Sequence, residues 1–129
     1  WKGLRLTKED YKEGYAWLPQ GEVGIITNLL AFVALGQAIR HGKFPNVTIV
    51  QQGHDSLVVS CPPKLAYRVA SFVVESMGVV REYPGAGGMW SLGMPIGVKV
   101  GRNWKDMQEW KALPGKEVFE AAVMERMAA

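Results

Sequence analysis

A chain of 129 residues with 48% hydrophobic and 21% charged side chains has the length of one domain and an ordinary globular composition, which excludes a disordered or low-complexity segment. Its net charge of +3 is too small to announce a nucleic-acid or membrane-surface partner unaided. One cysteine, Cys61, excludes an internal disulfide framework, and with only two histidines, His41 and His54, the usual zinc cages are out of reach.

In chain order, Thr7 is placed to cap a short helix through "LTKEDYKEGYAW", with its charged residues on a wet face. Pro19 suits the first turn of a second helix, expected from about Gln20 to Arg40 and closed by Gly42. Apolar residues lie on more than one side of it: Val23, Ile26, Leu30 and Ala34, but also Ile25, Leu29 and Phe32. So wide an apolar surface predicts burial between layers. Thr27, Asn28 and Gln37 interrupt the run, so no membrane span is expected and a reducing, cytoplasmic setting is.

Phe44-Pro45-Asn46 leads into a strand from Val47 to Gln52. Gly53 to Asp55 turn the chain, and Leu57 to Cys61 return it antiparallel. Pro62-Pro63 opens a helix in which Leu65, Val69, Phe72 and Val73 share a face, and Gly78 ends it. Val79-Val80 begins a short strand, "PGAGGMWSLGMP" reads as a loop, and Ile96, Val98 and Val100 alternate as a half-exposed strand. "NWKDMQEW" reads as one or two helical turns, and Pro114-Gly115 precedes a last helix. The predicted class is α+β, an antiparallel sheet with a central hairpin packed against helices on one face.

Three motif-like stretches carry little. Ser56, Asp55 and His54 are the residue types of a hydrolase triad, but neighbours on a strand point to opposite faces and cannot form the relay. Gly85–Gly88 has the glycines of a phosphate loop without the following Lys-Ser or Lys-Thr, so a flexible connector is expected. Trp17, Trp90, Trp104 and Trp110 are residues that stack on bases, but without a clustered basic face most are assigned to packing.

The hairpin is more specific. "VTIVQQGHDSLVVSCP" resembles the third conserved block of the family A DNA polymerases, the bacterial polymerase I and phage replicase group, in which a β-hairpin carries a Gln/His/Asp turn. Gln52, Gly53, His54, Asp55 and Ser56 occupy that block, with Gly and Ser where Val and Glu are usual. Upstream, "AWLPQGEVGIITNLLAF" is similar to the family's helix that begins with a Gln-Gly turn, matched by Gln20 and Gly21. Downstream, "MPIGVKVGRNWKDMQEW" is similar to its closing strand and tail. The three stretches stand in the family's order and cover about residues 14 to 110.

The resemblance implies a partial polymerase palm over residues 1–110, with the hairpin at 47–61 and a helical extension at 111–129. It implies template-directed nucleotidyl transfer assisted by two magnesium ions. Asp55 is the implied metal-binding and catalytic carboxylate. His54 is implied to contact the primer-terminal backbone, and Gln20 to read the minor-groove edge near the primer end. Gln52 stands with them as a DNA-binding position. Primer-template DNA and a deoxynucleoside triphosphate are the implied partners.

Ser56 lacks the carboxylate usual there, and Ala16 stands where asparagine is common. The family's other metal-binding aspartate and its nucleotide-gripping helix are absent, since neither Asp10 nor Asp106 has the required context. The chain is therefore expected to be a piece of a larger or split polymerase, inactive alone and not binding magnesium alone. It awaits an N-terminal polymerase portion and is prone to self-association through the apolar 20–40 helix. The alternative is a non-catalytic DNA-binding or assembly module with a palm-like fold.

Overall fold

The computed structural model describes Lys8, residues 21–85 and residues 87–128, apart from the side chains of Tyr83, Trp90 and Leu92. Gln20 and most of the expected helix after Thr7 lie outside the described residues.

Helix α1 spans Gly21–Arg40, about 30 Å at the usual rise per residue. Its middle, Ile26–Val33, winds with the wider π-helical hydrogen bonding. The helix ends where a left-handed residue is available. Gly42 has φ +76°, its N–H donates to Ile39 O at 3.0 Å, and the Lys43 N–H donates to Ala38 O at 2.9 Å. That pair of bonds is a Schellman ending, which a glycine adopts without the Cβ penalty. Asn46, at φ 59°, makes the second left-handed step, one that asparagine tolerates better than most residues.

Strands β1 (Thr48–Gln52) and β2 (Leu57–Ser60) pair antiparallel. Their register shifts between Ile49 and Gln51, so Val50 bulges out and stays exposed. After a 3-10 turn at Pro63–Leu65, α2 runs over Ala66–Met77. It ends where the Gly78 N–H donates to Val74 O at 2.8 Å. Strands β3 (Arg81–Gly85) and β4 (Gly88–Leu92) form a second hairpin, and β5 (Val98–Asn103) with β6 (Asp106–Trp110) a third. Helix α3 (Lys116–Ala128) closes the described chain.

Among the described residues the fold is α+β, with its antiparallel pairing divided among three two-stranded ribbons. Leu35 of α1, Phe44, Val47 and Val69 of α2 form one buried cluster, against which Ile49, Leu57 and Val59 seat the first hairpin. Ile26, Ala31 and Met77 form a second, joined by Met94 and Ile96. Ala66, Phe119 and Val123 form a third, fastening α3 to α2 and the β5–β6 ribbon. There the Phe119 ring stacks on Trp110, with centroids 5.5 Å apart, and meets Tyr67 edge-on. Arg126 ties α3 to the same ribbon through Asp106 and Gln108.

Four expectations from sequence need correction. First, α1 is not buried all round. Ile26, Thr27, Ala31 and Leu35 face inward, whereas Ile25 (40%), Leu29 (60%), Phe32 (38%) and Val33 (40%) are solvent-exposed, because the described layers cover only one side. In length and composition α1 is apolar enough to cross a membrane, although that inward face is spent on the rest of the fold. Second, Val79 and Val80 are exposed and precede the strand, which starts at Arg81. Arg81 reaches Glu22 of α1 in a 2.7 Å ion pair.

Third, the expected connector at Gly85–Gly88 is the bend of a hairpin, with Gly85 and Gly88 paired across it and Gly88 at φ +116°. Fourth, "NWKDMQEW" is a reverse turn and a strand. The Asn103 side-chain oxygen accepts from the Lys105 and Asp106 N–H groups at 2.9 and 3.1 Å, an Asx turn that reverses the chain before helix can form.

Candidate functional site

The tip of the first hairpin is held from both sides. The Gly53 N–H donates to Ser56 O at 2.7 Å and closes the turn. The strands below it are locked by Ile49, Leu57 and Val59, which pack on the Leu35–Phe44–Val69 cluster. The polar tip residues are thus carried by apolar residues of the same strands, one face serving the core and the end facing water.

Asp55 is exposed at that tip, and its carboxylate makes no ion pair or hydrogen bond among the described residues. His54 is exposed as well, and its ring lies against α1. A Cβ at Gly24 would stand 3.6 Å from its Nδ1, so the glycine leaves the helix backbone bare where the imidazole seats. Asn28, one turn further along α1, joins Gln52, Gly53 and His54 in lining a shallow depression of about 260 Å³. Hairpin tip and helix therefore converge around His54.

The structure brings together His54, Asp55 and Gln52, while Gln20 lies outside the described residues. Two contributors were missed from sequence. Asn28, which in the sequence only interrupts an apolar run, lines the depression. Gly24 had no visible signal, because its role depends on a side chain thirty positions away. Of the tryptophans, Trp110 is a packing residue and Trp104 is 68% exposed, whereas Trp17 and the Trp90 side chain lie outside the description.

A carboxylate oxygen, unpaired and open to solvent, is the donor that magnesium takes. The number of ligands does not suit two ions. Among the described residues no three His, Cys, Asp or Glu side chains gather into a metal-binding group. A single carboxylate does not offset the repulsion between two divalent ions at catalytic separation. The described residues offer one ligand and do not fit a two-ion site by themselves.

Cys61 sits at the end of β2, half-buried and unpaired, and burial pushes its thiol above the ordinary value. A thiol so shifted is a poor nucleophile at neutral pH. No protein-family model, curated protein or solved structure matches the chain.

Proposed function

We propose that this chain is the C-terminal palm segment of a family A DNA polymerase, supplying one carboxylate, Asp55, to a nucleotidyl-transfer centre completed elsewhere in the enzyme. The observation that carries the reading is the hairpin tip. Asp55 projects unpaired into solvent from two paired strands that are themselves anchored in the core. A ligand for metal or substrate needs that combination of rigid support and open access. An unrelated fold with a His-Asp bend would gain ground from an Asp55 sealed among apolar side chains, and Asp55 is exposed.

In this reading His54, Gln52 and Asn28 line the place where a primer end would lie. Neutral amides suit it, because they both donate and accept hydrogen bonds and so fit base edges and sugars. The exposed apolar stripe Ile25–Leu29–Phe32–Val33 supports the idea that the segment belongs to a larger assembly or self-associates, since apolar area of this kind is ordinarily covered.

The test is complementation. The chain is combined with an N-terminal polymerase portion that carries the missing aspartate and nucleotide-binding helix, and primer extension is measured with magnesium. Extension should appear only in the combination, and Asp55→Ala should reduce it by about a thousandfold, the scale of losing a main electrostatic catalyst. Full extension by the Asp55→Ala variant would refute the assignment. Absence of extension under every pairing would favour a non-catalytic DNA-binding module of the same shape.

A further inference from the structure

A second cavity lies away from the hairpin tip, where the turn after α1 meets α2. It is a groove of about 220 Å³ lined by Lys43, Phe44, Tyr67, Arg68, Phe72 and their neighbours. Its floor is aromatic, with Phe44 buried and its ring meeting Phe72 edge-on at 5.4 Å between centroids. Two cations are held over that floor. The Lys43 ammonium stands 4.6 Å from the Phe72 centroid and 5.6 Å from that of Phe44, and the Arg68 guanidinium stands 5.9 Å from the Phe44 centroid. Contacts of this kind attract the cation to the ring and restrain a side chain that would otherwise sweep through solvent.

Neither cation makes an ion pair among the described residues, although both are exposed. The groove does contain a carboxylate, Glu75, and it accepts a hydrogen bond from Ser71 Oγ at 2.9 Å instead. Two more exposed cations lie close to these residues in sequence. Arg40 ends α1 just before the Gly42 turn, and Lys64 lies four residues before Arg68. The groove is shallow and open along its length, so it suits an anion that runs across it better than one that is swallowed whole.

We propose that this face binds the phosphate backbone of a DNA strand at a contact point distinct from the hairpin tip. The two points lie toward opposite ends of α1, the tip against Gly24 and the groove beginning at Lys43, just past the end of the helix at Arg40. Because the cations are already positioned on the rings, little side-chain freedom is lost when phosphates arrive. Nothing in this contact requires Asp55 or nucleotidyl transfer, so it stands or falls separately from the polymerase reading.

The experiment is fluorescence anisotropy of a labelled single-stranded 12-mer with the whole chain, at about 50 and 200 mM salt. The test variant is Lys43→Met with Arg68→Met, which keeps apolar stems on the Phe rings while removing both charges. Melting temperature confirms that it folds. A control variant, Lys105→Met with Lys111→Met, removes the same charge on the β5–β6 side.

The test variant should bind at least about tenfold more weakly at the lower salt, and its log–log salt slope should be shallower by about 1.4, two single-strand contacts at about 0.7 each. The control should stay within about twofold of the parent. Equal affinity of test variant and parent overturns the proposal, as does an equal loss in the control, which would mean that net charge alone attracts the DNA. It is also overturned if inorganic phosphate saturates NMR shifts at Tyr67 and Ser71 while the oligonucleotide produces none. That result assigns the groove to a free phosphate compound.

Discussion

Phe119→Ala tests how far α3 belongs to the fold. Phe119 is 1% exposed, sandwiched between Trp110 at 5.5 Å and Tyr67 at 5.7 Å, with Ala66 and Val123 completing its surroundings. Truncation removes a whole ring from a site walled by two other rings that are fixed to different elements, so collapse into the void is restricted. A loss of about 3–5 kcal/mol is expected, the range for a buried Phe→Ala change. For 129 residues, an unfolding entropy of about 2.1 cal/mol/K per residue gives about 0.27 kcal/mol/K. The melting temperature should then fall by about 11–18 °C. Circular dichroism at a helical wavelength reads it, and near-ultraviolet dichroism should show a weakened Trp110 band. A fall below about 3 °C would mean that the helix is a loosely attached appendage and that the cluster joining it to α2 and β5 carries little energy.

Thr27 is fully buried, and its hydroxyl finds no hydrogen-bond partner among the described residues. Thr27→Val should therefore stabilise the chain by about 1 kcal/mol in denaturant unfolding, and a destabilised variant would show that the hydroxyl is satisfied. At Gly101, an added Cβ would collide with the Asp106 backbone carbonyl oxygen and crowd Met107 across the ribbon. Gly101→Ala should cost about 1–3 kcal/mol, and an unchanged melting temperature would refute the close approach of β5 and β6. For Cys61, burial raises the pKa of the folded thiol, so the folded chain holds that proton more tightly than the unfolded one. Its stabilising contribution is complete at neutral pH and is lost as pH rises past the ordinary value of 9.0. Cys61→Ala should flatten the alkaline part of the melting-temperature profile, and an unchanged profile would count against burial.

Several features could be read from short stretches because their causes are local. The end of α1 depends on Gly42, and the two bonds that close it, from Gly42 to Ile39 and from Lys43 to Ala38, span only three and five residues. The first hairpin bends where Gly53, His54, Asp55 and Ser56 interrupt β-branched runs, and the bend is closed by a bond within those four residues. Pro63 and Gly78 bracket α2 in the same way, and Pro114-Gly115 precede α3. The exposed Asp55 and the neighbouring His54 followed from the same pattern, since the polar end of an apolar hairpin has to face water.

The misread elements share a different cause. "NWKDMQEW" contains good helix formers, but Asn103 caps a turn and β5 offers a paired edge, so a tertiary partner overrode local propensity. The strand β4 was invisible because its residues alternate weakly and its register is set by β3.

What the order of residues determined alone was where this chain turns, stops its helices and leaves a carboxylate at a bend, because those outcomes rest on φ preferences and bonds spanning a few positions. Only the tertiary structure decided which side of α1 is covered, that Gly24 receives the His54 ring, and that Lys43 and Arg68 meet over one pair of aromatic rings. Those juxtapositions join residues distant in the chain, and packing selects them through the summed fit of whole faces.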